Sequence, residues 1–285
     1  MRCYIDGNVA NGGLSKVYHG FDIDRQIPVA IKIYRRDCGE FDLAQEEVDG
    51  YLTNSVRVHE FLDPNSRKFP SLYGHTERTL VMEFVEGVGL RDLNLKERED
   101  LVLTAGYQMV LCLDELHKSR PEKSIIHRDV KPGNVIIRPT GEAVLCDFDL
   151  VYIDEQSVDG SERIVGTPQF VSPEHIRGVP VLPISDLFSV GSSLFLLFTE
   201  EALRCGAYSA LHIEESHQRH NLSPGSVREV IETCWRIGRT YESAEHMVVE
   251  LADRLRRIGI DPEKSHEVLA GVVKSNPLGQ YDEGV

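Results

Sequence analysis

Apolar positions change their period along this chain, and the change divides it near residue 90. Before that point the spacing is mostly two. YHGFDIDRQIPVAIKIY, residues 18–34, alternates on both sides of DIDR, which predicts a β-hairpin. FDLAQEEVDGYLTN, 41–54, breaks the alternation with helical spacing and offers Leu43, Val48, Tyr51 and Leu52 as one face. TLVMEFVEG, 79–87, predicts a strand that ends at Gly87. Beyond residue 90 the helical period takes over. In LVLTAGYQMVLCLDELH, Leu101, Val102, Ala105, Met109, Cys112, Leu113 and Leu116 form the apolar face of an amphipathic helix. SDLFSVGSSLFLLFTE, 185–200, is apolar nearly all round, so a buried helix is expected. SVREVIETCW and SAEHMVVELADRLRRIG predict surface helices, Asp261-Pro262 can cap one more, and NPLGQYDEGV reads as a loose tail.

This pattern predicts an α+β architecture of two lobes, a small β-rich one with a single helix and a larger helical one. The expected bounds are 1–85, 86–260 and a C-terminal extension over 261–285, with a hinge near 83–90.

Charge narrows the partners. Thirty-one basic against 46 acidic residues leave −15, which argues against nucleic acid or an anionic membrane as the main partner. The six cysteines form no CxxC pair, so reduced thiols and a cytoplasmic setting are expected. MRCYIDGN lacks the apolar core of a signal peptide, and SVGSSLFLLF is too short to span a bilayer.

The candidate chemistry sits in IIHRDVKPGNVII, residues 125–137. Two β-branched runs, expected to be half-buried strands, enclose His127, Arg128, Asp129, Lys131 and Asn134. A plain turn needs only Gly, Pro, Asn or Asp. VAIK (29–32), NGGLSKVYHG (11–20), CDFD (146–149) and GTPQFVSPE (166–174) are each weak signals alone. In this order and spacing they resemble the eukaryotic-type protein kinase family, from about residue 5 to 260. Lys131 and the GTP motif are similar to the serine/threonine branch.

The resemblance implies a serine/threonine protein kinase that uses ATP and Mg2+ on a protein hydroxyl. Phosphoryl transfer needs charge neutralisation and alignment rather than covalent help. Asp129 would be the general base, Lys131 would neutralise the γ-phosphoryl oxygens, and Asn134 with Asp147 would hold magnesium. Lys32 would hold the α/β-phosphates, and, being buried, would need a facing acid, for which Glu47 is the choice and Glu46 the alternative. Val17, Ala30, Met82, Glu83 and Val85 would line the nucleotide site. His127 would orient CDFD, Asp186 would accept hydrogen bonds from the backbone of the catalytic turn, and Thr167 would touch Asp129 and Lys131. Glu174 would pair with a late arginine, with Arg239 as the candidate.

The sequence also departs from the family. The three glycines of the phosphate loop fall at Ala10, Gly12 and Ser15, so only the middle one survives, and weakened nucleotide affinity is expected. Asp149 stands where the family has the glycine of DFG, and a left-handed backbone there would carry strain. The acid-rich loop after it could offer Glu155 or Asp159 to Arg128 in place of a phosphate, or be phosphorylated at Ser157 or Ser161. Gly89 and Gly133 occupy positions where kinases selecting basic substrates carry acids. Two alternatives remain open: a nucleotide-binding pseudokinase scaffold, and a small-molecule phosphotransferase of similar fold.

Overall fold

The computed structural model describes residues 1–11, 14–35, 45–120, 122–153, 166–178, 180–201, 227–236 and 239–276, without the side chains of Asn8, Asn11, Gln45 and Glu47. An antiparallel sheet of five strands forms the small lobe: β1 (Cys3–Asn11), β2 (Ser15–Asp22), β3 (Ile27–Tyr34), β4 (Leu72–His75) and β5 (Thr79–Glu83), in the order β1-β2-β3-β5-β4. The expected hairpin joins β2 to β3. Its turn is stapled by the Asp22 carboxylate, which accepts from the backbone N–H of Asp24 and Arg25 and pairs with the Arg25 side chain at 2.7 Å. The strand expected over 79–87 stops at Glu83, and an extended segment follows. Helix α1 (Gln45–Arg57) packs Val48, Tyr51 and Leu52 against Tyr34 and Leu80; Leu43 lies outside the described residues.

The large lobe is built around α2 (Glu99–Lys118) and α4 (Pro183–Thr199), with short α3 (Pro173–Ile176) between them in sequence. After α4 come α5 (Val227–Cys234), α6 (Ala244–Arg257) and α7 (Ser265–Ser275). The sequence predicts α2 as amphipathic, yet Leu101–Val110 are all buried. The reason is tertiary: α4, α6, α7 and the strand Ala143–Leu145 pack around it. Its polar Gln108 is satisfied inside, donating to Ser265 Oγ at 3.0 Å and accepting from Ala143 N at 3.4 Å. Helix α4 is buried as expected. Ser193 bonds back to Ser189 O at 2.8 Å and Thr199 to Phe195 O at 2.7 Å, while Ser185 donates to Glu174 at 2.6 Å and Ser189 to Phe170 O at 2.7 Å, so these hydroxyls are not stranded in apolar surroundings. The segment after residue 260 is folded through Ser275: Asp261 caps a short 3-10 turn, and α7 buries Leu269 and Val273 in the main core.

A small sheet of β6 (Val88–Gly89), β7 (Val135–Ile137) and β8 (Ala143–Leu145) carries the catalytic turn. Only its C-terminal flank is a strand. On the N-terminal side, Ile125 and Ile126 are buried, but Ile126 makes just an isolated bridge to Tyr152. Rigidity comes instead from below. Asp186, 1% exposed on α4, accepts from His127 N and Arg128 N at 2.9 Å each and from His117 Nε2 at 2.9 Å. Those bonds hold Arg128 in a left-handed conformation, φ 67°, that a non-glycine residue rarely adopts. Burial alone would raise the Asp186 carboxyl; His117 and the backbone donors override it and hold it below the usual carboxylate range.

Glu174 on α3 is anchored as the sequence suggests, but by a different arginine. Arg236 makes a forked pair with it, at 2.6 and 3.0 Å, while Arg239 turns to Glu250 at 2.6 Å. The chain turns just after α5, with Arg236 at φ 60°, and so presents Arg236 to α3.

Two predictions follow from this packing. A Cβ on Gly191 of α4 would lie 2.4 Å from Cys234 Cβ on α5, whereas one on Gly271 of α7 meets nothing within 4 Å. Gly191→Ala is expected to cost about 1–3 kcal/mol by overpacking, against helix propensity. Gly271→Ala should gain up to about 1 kcal/mol, and urea denaturation of the two variants tests the contrast. In Asp186→Asn one backbone N–H loses its acceptor, an expected cost of about 1–3 kcal/mol at pH 7. Because the folded carboxyl is depressed, its contribution is fully present above the unfolded value of about 3.9 and is lost as pH falls through the folded one. The stability gap between wild type and variant should therefore narrow below about pH 4 in acid titrations followed by urea denaturation.

Candidate active site

The small-lobe sheet presents one face to the site by register. Val17 pairs with Lys32 across β2–β3, Ala30 with Met82 and Lys32 with Leu80 across β3–β5, and cross-strand partners share a face. Val17, Ala30, Lys32 and Met82 therefore lie together, opposite the cluster of Val29, Ile31 and Val81. Val85 is buried in the connection between the lobes. Glu83, just before it, reaches Arg138 of the large lobe at 2.7 Å and accepts from Ser71 N at 3.3 Å. Ala10 is exposed near the end of β1 and Ser15 is buried at the start of β2; Gly12 between them lies outside the described residues.

Lys32 is 4% exposed, and two carboxylates meet it: Asp147 at 2.7 Å and Asp149 at 2.6 Å. Burial alone would lower the pKa of its ammonium, but Asp147 and then Asp149 overcome that and hold it well above the usual lysine value. Glu46 is exposed, and the side chain of Glu47 is outside the described residues, so the described acids on Lys32 are these two aspartates. They differ. Burial raises Asp147, yet Lys32, then Lys131 and His127, bring it down to about 2; its side chain is 39% exposed. Burial also raises Asp149, and there the effect wins over Lys32, with Asp147 adding repulsion. Asp149 is not in a left-handed conformation; Asp147 is, at φ 68°, so the strain expected at the DFG glycine position sits two residues earlier.

Across the cleft, Asp129 is 7% exposed and held by four donors. Its Oδ2 accepts from Lys131 Nζ at 2.6 Å and Asn134 Nδ2 at 3.0 Å; its Oδ1 accepts from Thr167 Oγ1 at 2.9 Å and Thr167 N at 3.0 Å. Lys131 also reaches Thr167 Oγ1 at 2.6 Å, so the threonine is placed as the sequence suggests. Asn134 spends its amide nitrogen on Asp129, at 2.8 Å from the backbone O as well, and its amide oxygen takes none of these bonds. His127, fully buried, lies 3.2 Å from Cys146 O and packs its ring 5.6 Å from Phe148, so it steadies the CDFD segment. Arg128 donates to Leu150 O and stacks over Tyr152; Glu155, Ser157, Asp159 and Ser161 lie outside the described residues.

The structure thus brings Lys32 to Asp147, and Lys131 and Asn134 to Asp129. The Lys131 charge acting on Asp147 links the two groups. One half-exposed carboxylate and one amide oxygen are hard ligands of the kind magnesium takes alongside water. Among the described residues no group of three His, Cys, Asp or Glu could hold a metal by itself. Sequence reasoning assigned Asp149 no bonding role and passed over Tyr34 and Ser55, whose hydroxyls reach Asp149 Oδ1 at 2.6 and 2.7 Å. The available signal was Tyr34, two residues beyond Lys32 and hence on the same strand face.

Residues 5–255 match the protein kinase domain family. The chain is 33% identical over 208 residues to serine/threonine-protein kinase PknL of Mycobacterium bovis, covering 70% of this chain and 49% of that protein. It is 31% identical over 233 residues to a probable serine/threonine-protein kinase PknB of Bifidobacterium longum (76% and 33% covered). Against serine/threonine-protein kinases PknA of Corynebacterium glutamicum the identity is 33% over 194 residues (64% and 40%). The chain spans between a third and a half of the length of these relatives. Fold, catalytic turn and family match agree: the chain belongs to the protein kinase family.

Proposed function

We propose that this chain is a serine/threonine protein kinase that transfers the γ-phosphoryl group of magnesium-ATP to a protein hydroxyl. The observation that carries the reading is the setting of Asp129. Its carboxylate faces a cation and an amide from its own turn and the hydroxyl of Thr167 from a later segment. The hydroxyl of Thr167 bridges Asp129 and Lys131 and is chemically the group an acceptor serine or threonine would bring. An incoming hydroxyl that takes such a place donates to Asp129, which can accept its proton as the bond to phosphorus forms. Lys131 then offsets charge on the γ-phosphoryl oxygens, and Lys32 steadies the α/β-phosphates as a point charge. Magnesium, held by Asp147 and Asn134, would supply neutralisation of the phosphate oxygens. Val17, Ala30, Met82, Glu83 and Val85 would enclose the base, with Ala10, Gly12 and Ser15 over the phosphates. Glu47 on α1 is the alternative partner of Lys32, to be weighed against the aspartates that meet it.

The relatives named serine/threonine kinases support a polypeptide acceptor. So does the α3 segment, tied down by Arg236. A cytoplasmic setting is part of the same proposal; the four described cysteines are free thiols. Among the described residues, no helix is long and apolar enough to cross a membrane. The second reading, a scaffold that binds nucleotide without turnover, is favoured by one observation: both acids are engaged on Lys32.

Incubation with labelled ATP, magnesium, a generic protein acceptor and a small-molecule panel tests the proposal. Label should enter protein, and Asp129→Asn should lower kcat by about 10²–10⁴-fold with Mg-ATP affinity retained. Nucleotide bound without transfer to anything would favour the scaffold, and label entering only a small molecule would sink the protein-kinase reading.

A further inference from the structure

Three donors converge on one oxygen of Asp149. Lys32 Nζ lies at 2.6 Å, Tyr34 Oη at 2.6 Å and Ser55 Oγ at 2.7 Å from its Oδ1. All four side chains are buried, and they come from three elements: β3, α1 and the segment after β8. The Asn54 amide adds a bond to the Asp149 backbone O at 3.4 Å. Asp147 is held differently. It is 39% exposed, and among the described residues Lys32 is its one hydrogen-bond partner. One ammonium faces two carboxylates, so one negative charge is left over. The carboxylate free to answer a second cation is the exposed, singly bonded one.

We propose that Asp149 is the resident counter-ion that positions Lys32, and that Tyr34 and Ser55 hold Asp149 to that task. Asp147 shares the lysine here and would be the carboxylate left to hold a magnesium ion. When Asp147 turns to magnesium, the Lys32–Asp149 pair remains neutral and fixed, and the ammonium stays aimed into the cleft instead of being buried without a partner. This second half rests on the kinase reading; the assignment of the partner does not. The residue that departs from the DFG pattern thereby gains a role. An acid at 149 ties the lysine to the start of the loop that follows β8, and glycine there would take the acceptor from Ser55 Oγ and leave Tyr34 Oη only Ser55 Oγ at 3.4 Å.

The test uses the full chain with 15N at lysine Nζ. The ammonium signal of Lys32, assigned by its loss in Lys32→Arg, should show slow proton exchange. Asp149→Asn should speed that exchange at least tenfold and more than Asp147→Asn or Glu47→Gln does. An effect of Asp149→Asn equal to or smaller than either of those overturns the proposal. If Asp149→Asn fails to fold, Tyr34→Phe, which removes one donor and keeps the charges, carries the same comparison: faster exchange than in wild type supports the assignment, and unchanged exchange overturns it. Calorimetric binding of Mg-ATP gives the second readout. Asp149→Gly should raise Kd at least tenfold, with smaller rises in Tyr34→Phe and Ser55→Ala, and a wild-type Kd in Asp149→Gly overturns the positioning role. A wild-type chain that binds no Mg-ATP would instead overturn the kinase reading, while proton exchange still decides which acid partners the lysine.

Discussion

A charge can be taken out of water only where the fold supplies its opposite or a set of aimed dipoles. Asp186 shows the constraint at its simplest. The carboxylate sits on the buried helix α4 of the large lobe and is stabilised by the very N–H groups it holds in place. Helix α4 must be buried to be rigid, and the turn above it must curl through a left-handed residue to reach that carboxylate. Placement of Asp129, Lys131 and Asn134 follows from that curl. The chemistry of the cleft is thus anchored in the core of the helical lobe rather than in the flanking β-branched runs.

The same constraint shapes the other wall of the cleft. Lys32 extends from a strand whose opposite face is packed with Val29 and Ile31, so its backbone cannot shift to follow a partner. Charge must come to it, and it comes from the segment after β8, on the side of the lobe that carries the catalytic turn. Together with the Glu83–Arg138 pair at the other end of the cleft, this makes the two lobes electrostatically joined at the front and the back.

Much of this was legible in the sequence because local rules and tertiary needs agreed. DIDR makes a turn wherever it stands, and a helix apolar on all sides, such as 185–199, can only be internal. Motif order was enough to associate Asp129, Lys131, Asn134 and Asp147 with one site. What escaped depended on packing partners. The all-round burial of α2 over residues 101–110 could not be read from its own period, because its polar Gln108 and Thr104 look solvated until α7 and the Asp100 carbonyl are seen beside them. Arg236 was missed in favour of Arg239 because three residues of register after α5 are decided by where the chain turns. Asp149 read as a strained substitute for glycine, because the phenol and hydroxyl that welcome it lie more than ninety positions away in the chain.

Helix α7 bears on where this domain can be cut. The family match ends at residue 255, yet Leu269 and Val273 sit in the same apolar core as α2, and Ser265 completes the bonding of Gln108. Trimming a recombinant chain to the matched span would strip one flank from the central helix and leave an amide searching for water in a greasy groove. Among the described residues the last side chain in this core is Val273, about eighteen residues past the end of the family match.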